Sequence, residues 1–116
     1  MVNKLYNEYG IMKGGKIANE IDIAAHRMAK IIAKDNGFDL DKYAVVTKSL
    51  QVNYKLPIKS LTKKNLRVFN RGFYKGKDIH ISVTVHKTKQ DVYITVAEAK
   101  LVFTCKDRKE LEKTIV

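Results

Sequence analysis

One cysteine, one proline and no tryptophan occur in the 116 residues. Each scarcity excludes something. A lone Cys105 cannot close an internal disulfide, so a reducing compartment, the cytoplasm, is the simplest expectation. Zinc sites need Cys or Cys/His pairs at short spacing, and one cysteine with three scattered histidines does not supply them. No apolar run approaches the ~18 residues of a membrane span. Residues 1–9 lack the apolar stretch and small-residue cleavage site of a secretory signal. Ser49, Ser60 and Ser82 lack the glycine-flanked turn of a serine hydrolase nucleophile. Arginine is also scarce: 19 of the 23 basic residues are Lys, and only Arg27, Arg67, Arg71 and Arg108 are Arg.

What is present is a basic globular chain. Hydrophobic residues make up 45% and charged residues 30%, which opposes disorder, and the length is that of a single domain spanning 1–116. The net charge of +11 has two readings, a generically solvated lysine surface or a face that meets a polyanion. Nucleic acid is the less favoured polyanion. Bidentate recognition of bases and phosphates prefers Arg, and no RNA-binding signature occurs, although Phe69, Phe73 and Tyr74 lie near Lys75 and Lys77.

The periodicity predicts one helix followed by strands. Residues 1–10 alternate weakly, as a short strand or arm. From Lys16 to about Lys34, Ile17, Ile21, Ala24, Met28 and Ile31 recur at helical spacing. Ala18, Asp22, Ala25, Ala29 and Ile32 form an adjoining stripe. Asn36-Gly37 is a stop signal. The period then falls to two. Strands are expected over Tyr43–Tyr54, Leu66–Tyr74, Ile79–His86 and Val92–Thr104, followed by a charged tail from Lys106 to Lys113. In the first strand, Val46, Leu50, Val52 and Tyr54 fall on one face by strict alternation. Gly72 marks a bulge or a close approach. Strands joined in succession by turns imply an antiparallel meander, and with one long helix the class is α+β.

Asp22 departs from this pattern. It interrupts a small apolar stripe, and a desolvated carboxylate suits general-base work; the alternative is a solvent-facing residue at the helix edge. His26, one turn on, could pair with it. Gly14-Gly15 precedes the helix with no Ser, Thr or Asp to cap it, which leaves backbone amides available to an anion or oxyanion. His80 and His86 share the polar face of one strand with Ser82 and Thr84, and a solvated or subunit-facing surface is expected there. Cys105 reads as packing.

In order and spacing, four segments resemble the hotdog-fold acyl-CoA thioesterases: Tyr9-Gly-Ile-Met-Lys-Gly-Gly15 with Asp22 seven positions later, Ser49-Leu-Gln-Val-Asn-Tyr54-Lys-Leu-Pro57, Gly76-Lys77 with the alternating β-branched residues after it, and Ala97-Glu98-Ala99 leading to Leu101 and Phe103. The resemblance covers about residues 7–105. It implies a long central helix wrapped by an antiparallel sheet of four to six strands, paired edge to edge in a homodimer or a larger assembly such as a homotetramer. It implies hydrolysis of an acyl-CoA at the subunit interface, with no cofactor beyond the coenzyme A of the substrate. Asp22 would be the general base or nucleophile, the Gly15 amide would polarise the thioester carbonyl, and Asn7 would assist. Gly14, Lys13, Tyr54, Lys75 and Lys77 would contact substrate, the lysines meeting CoA phosphates. A binder of acyl-CoA that does not hydrolyse it is the alternative. The sequence departs from the family pattern at Lys13, where many members carry His, and at Ser60–Asn65, a longer Lys-rich segment than usual.

Overall fold

A computed structural model describes residues 14–56 and 66–114. The element order is α1 (Gly14–Asp35), β1 (Tyr43–Tyr54), β2 (Leu66–Lys75), β3 (Asp78–Lys89), β4 (Val92–Asp107) and α2 (Arg108–Thr114). The sequence places the helix and all four strands, with ends within a few residues of those observed. The expected strand or arm before residue 11 lies outside the described residues.

The α1 segment holds five Ala and no Pro, and its glycines stand only at its start. The end is a hydrogen-bonded cap. Phe38 N–H bonds Ala33 O and Gly37 N–H bonds Lys34 O, both at 3.1 Å, while Gly37 takes φ 89°. This pairing satisfies carbonyls that the helix leaves open, and it needs a residue that tolerates positive φ. Phe38 then folds back against the core, edge-on to Tyr43 with ring centres 5.3 Å apart.

The buried stripe of α1 is Ile17, Ile21, Ala25, Ala29 and Ala33, spaced strictly by four. It cuts across the two stripes expected from periodicity. Ala24 and Met28 are half-buried and Ile31 is 59% exposed. Three alanines in the contact row let the helix axis approach the sheet closely. Gly72 extends the close fit: a Cβ there would press on the side-chain methyls of Ile81 and Ile32. Gly72 therefore marks a close approach, and β2 pairs with β3 without a bulge.

The sheet is wholly antiparallel in the order β1-β4-β3-β2. Strands β2 to β4 form the expected meander. Strand β1 does not join it beside β2; it pairs with β4 at the far edge. A uniform meander fails because the β1–β2 connection has to cross the sheet, about three strand spacings or ~14 Å. Its eleven residues, 55–65, can span that distance.

The core lies between α1 and the sheet face that carries Ile79, Ile81, Val83 and Val85 of β3 and Ala97, Ala99, Leu101 and Phe103 of β4. Phe103, Ile79 and Val96 are completely buried. Truncating a side chain such as Phe103 to Ala removes about 3–5 kcal/mol in comparable cores.

Two bulges re-phase the sheet. Lys48 is an extra residue in β1 between Thr47, opposite Phe103, and Ser49, opposite Val102. Val96 is extra in β4, between Thr95 opposite His86 and Ala97 opposite Val85. Each inverts the alternation downstream of it.

The expected charged tail is partly a helix. Asp107 Oδ1 accepts hydrogen bonds from the Lys109 amide at 2.8 Å and the Glu110 amide at 3.4 Å, capping α2. Arg108 ties α2 to the α1–β1 loop by donating from Nε and Nη2 to Leu40 O at 3.1 and 2.9 Å.

Candidate functional site

The first half of α1 runs beside the edge strand β1. Asp22 is half-buried and accepts a hydrogen bond from Thr47 Oγ1 at 3.3 Å on Oδ1. That is long for a hydroxyl–carboxylate bond. It orients the carboxylate without neutralising it, and the other oxygen has no partner among the described residues.

His26, one turn on, faces the same strand. Its Nε2 lies 2.7 Å from Val45 O, and its ring stacks on Phe103 with centroids 5.6 Å apart. The Asp22–His26 pair that the spacing allows is not formed, and His26 is half-buried rather than a plain surface residue. Each side chain is claimed by a separate group of the same strand, so His26 serves to dock the helix.

The Lys48 bulge is what brings Thr47 to Asp22. By strict alternation Thr47 would point away from the helix if Leu50, Val52 and Tyr54 point toward it. With one residue extra, Val45 and Thr47 before the bulge and Leu50, Val52 and Tyr54 after it share the helix-facing side. Val46 accordingly lies on the opposite face from the one expected. The residue that sequence reasoning missed is thus Thr47. The only signal it carried was a polar residue 25 positions after Asp22, which no periodicity singles out.

The helix begins at Gly14, so Gly14 and Gly15 form its first turn rather than a preceding loop. The first four amides of a helix have no intrahelical acceptor, and this first turn carries no acidic side chain. Gly15 stands seven residues before Asp22, about 10 Å along the axis at 1.5 Å per residue. Gly15 and Asp22 of one chain thus stand on different turns of the helix, well separated along its axis.

Tyr54 is at the end of β1, opposite Ala97, on the helix-facing side. It is 45% exposed and Leu50 is 42% exposed, although both belong to the face that elsewhere forms the core. Beyond Thr47 on the inner face of β1, Leu50 and Tyr54 are partly exposed while Val52 packs against the core.

Lys75 and Lys77 are not near Asp22 on that face. They flank the β2–β3 turn and line an open groove with Lys48, Lys106, Asp78 and His80. Lys48 Nζ bonds Asp78 Oδ2 at 3.0 Å there. Lys75 and Lys106 pair with outward positions of their strands, so this cluster belongs to the sheet face away from α1. Asn7 and Lys13 lie outside the described residues.

Asn70 is a second polar residue on the helix-facing side, opposite Val83, and its Oδ1 is buried with no hydrogen-bond partner among the described residues. Cys105 is half-buried beside the core, and burial raises its thiol pKa, in keeping with a packing role. Among the described residues no helix is long and apolar enough to cross a membrane, and no cluster of His, Cys, Asp and Glu is placed to hold a metal ion.

Solved structures share this architecture. A hexameric thioesterase from Yersinia pestis superposes with a TM-score of 0.71 at 21% identity, over 90% of this chain and 80% of that one. An acyl-CoA hydrolase from Staphylococcus aureus, solved with butyryl coenzyme A, coenzyme A and coenzyme A disulfide, gives 0.74 at 22% identity over 94% of this chain. The chain has the hotdog fold. A probable thioesterase from Escherichia coli matches with a TM-score of 0.70 at 16% identity, over 95% of this hotdog chain and 80% of that one. The hotdog domain spans 63% of the length of the Staphylococcus hydrolase. No protein-family model and no curated protein sequence matches it.

Proposed function

We propose that the protein is an acyl-CoA thioesterase, a cytoplasmic homo-oligomer whose site is completed between two subunits. The observation that carries the proposal is the half-buried Asp22 carboxylate, oriented by Thr47 and facing the edge strand β1, with one oxygen unpartnered among the described residues. The thioesterase and acyl-CoA hydrolase neighbours support the reaction class, and the hexameric neighbour supports self-association.

The chemistry needs a base and an oxyanion donor. Asp22 takes a proton from water as the hydroxide oxygen adds to the thioester carbonyl carbon. The negative charge that develops on the carbonyl oxygen is met by the backbone N–H of the partner subunit's Gly15. The intermediate then collapses, the C–S bond breaks, and CoA thiolate leaves with the proton held by Asp22. The products are the free acid and CoA, and the carboxylate is restored. A general base of this kind contributes about 10²–10⁴-fold.

The ~10 Å between Gly15 and Asp22 along one helix favours a site assembled from two chains. The inner face of β1 beyond Thr47, part-exposed at Leu50 and Tyr54, is the apolar surface that a second subunit and an acyl chain would share. Lys75 and Lys77 lie on the other side of the sheet, so in this reading they do not bind the CoA phosphates of their own subunit's site.

The deciding experiment measures release of free CoA thiol from acetyl-, medium-chain and aromatic acyl-CoAs by wild type and Asp22→Asn. Turnover by the wild type with loss of at least 10²-fold in the variant supports the reading. Binding of acyl-CoA with no turnover of any of them leaves an acyl-CoA binder instead. Turnover unaffected by Asp22→Asn removes Asp22 from the chemistry.

A further inference from the structure

The sheet face turned away from α1 carries a pattern that thioester chemistry does not use. Along β2 the outward residues are Arg67, Phe69, Arg71, Phe73 and Lys75, all exposed. Cation and aromatic ring alternate at every second residue. Outward neighbours in a strand are about 6.7 Å apart, so the two phenylalanines stand about 13 Å apart with a guanidinium between them.

The rings are held upright by histidines and a tyrosine. Phe73 stacks on His80 at 5.1 Å with planes 11° apart. Phe69 meets His86 at 5.2 Å and Tyr93 at 6.0 Å, edge to face. Phe69 and Phe73 remain 49% and 55% exposed, with their outer surfaces in solvent. Such exposure of ordered rings is unfavourable unless something covers them.

The floor beside the strip is polar. Ser82 and Thr84 lie between Phe69 and Arg71 on one side and Gln51, Asn53 and Lys100 on the other, along shallow grooves. The Lys48, Lys75, Lys77 and Lys106 cluster closes one end. Among the described residues the face holds two carboxylates, and each already has a cation: Asp78 bonds Lys48 at 3.0 Å and Glu98 lies 4.0 Å from Lys55. The remaining charge of the face is positive.

We infer that this outer sheet face binds single-stranded nucleic acid, with bases stacked on Phe69 and Phe73 and phosphates met by Arg67, Arg71 and Lys75. Unpaired bases offer flat faces to exposed rings, and a nucleotide step in an extended strand matches the residue spacing along β2. A duplex hides its base faces and cannot use the rings. A second copy of this chain on the same face would set arginines and lysines against their own kind. This site is separate from the proposed hydrolytic one, on the opposite side of the sheet, and does not depend on it. The arginine scarcity that argues against nucleic acid in the sequence is misleading here, because two of the four arginines stand on one strand face.

The test is fluorescence anisotropy of a short labelled oligouridylate with the full chain across a salt series from about 50 to 200 mM. The expected result is binding whose log–log salt slope is near −2, from three phosphate contacts at ~0.7 each. Phe69→Ala/Phe73→Ala is expected to weaken it by about tenfold or more. Arg71→Gln, an exposed change that leaves the rings intact, is expected to reduce the slope by about 0.7.

Several outcomes overturn the inference: no salt-dependent binding at low salt, equal binding of a duplex of the same length, or unchanged affinity in the double phenylalanine variant. Self-association that is lost in the double variant assigns the face to a second copy instead. Uptake by phosphatidylserine vesicles without oligonucleotide binding assigns it to a membrane surface. Thiol release from acyl-CoA is measured alongside and is expected to be unchanged in these variants, which separates failure here from failure of the hydrolytic reading.

Discussion

Thr47 donates its hydroxyl proton to Asp22 Oδ1 at 3.3 Å, and the two side chains meet because Lys48 is an extra residue in β1. A regular strand could not turn both Thr47 and Leu50 toward the helix. Bulges often sit beside functional groups because they re-aim one side chain while leaving the ladder on either side intact. Here the re-aimed residue orients the Asp22 carboxylate on the β1-facing side of α1.

This relationship separates two variants. Asp22→Asn is expected to lower kcat by at least 10²-fold with little change in stability, since it keeps shape and a hydrogen-bonding oxygen. Thr47→Val removes only the orienting bond, and a loss of about three- to tenfold is expected. Steady-state kinetics on one acyl-CoA, beside thermal melts, checks both. A Thr47→Val loss equal to that of Asp22→Asn would make the hydroxyl a participant in the reaction rather than a support for the carboxylate.

His26 is expected to behave oppositely. Its ring bonds Val45 O and stacks on Phe103, so His26→Ala opens space against the core and leaves the partly buried carbonyl without its partner. A destabilisation of about 2–3 kcal/mol is expected, with kcat of the folded fraction within a few-fold of wild type. Denaturant unfolding and active-site-normalised kinetics read the two effects separately.

Gly72 tests the close approach of α1 to β2. Gly72→Ala puts a Cβ 2.7 Å from Ile32 Cδ1 and against Ile81, which is almost fully buried. The expected cost is about 1–3 kcal/mol through displaced methyl groups. Gly72→Ala/Ile32→Val removes one of the two obstructing methyls, and it is expected to recover part of the loss in melting temperature.

The β3–β4 turn offers a stabilising change. Gln90 and Asp91 both take positive φ, 52° and 63°, in a two-residue loop between the paired Lys89 and Val92. Asn-Gly suits that conformation far better. Gln90→Asn with Asp91→Gly is expected to raise stability by about 0.5–2 kcal/mol, measured as a shift in the denaturant midpoint without a change in slope.

The subunit requirement has its own consequence. Leu50→Asp places a charge at a part-exposed position on the inner face of β1, where the proposed partner would sit. Dissociation in sedimentation velocity together with loss of thiol release is expected. A fully active monomer would remove the shared-site geometry, because one chain then would have to supply base and oxyanion donor across ~10 Å.

The sequence by itself determined the elements. Hydrophobic spacing near 3.6 and then 2 sets the helix and four strands, since local alternation of burial is a one-dimensional property. It also singled out Asp22, as a charge in a run of small apolar side chains, and Gly72, as a glycine inside a strand. Even Gly14-Gly15 was legible as an uncapped helix start, though the helix includes both.

Only the tertiary structure decided what depends on register and on strands far apart in the chain. The buried stripe of α1 is set by the angle at which it crosses the sheet, which is why Ile31 is exposed and Ala33 buried. The bulges at Lys48 and Val96 invert facing downstream, and strict alternation cannot count an unpaired residue. Placing β1 beside β4 put Thr47 under Asp22 and left an uncovered edge. The β2–β3 register sent Tyr74 inward, its ring 6.0 Å from that of Phe38, and Phe69 and Phe73 outward among the arginines. Residues that look like one aromatic cluster in sequence thus lie on opposite faces, because successive side chains of a strand point to opposite sides of the sheet.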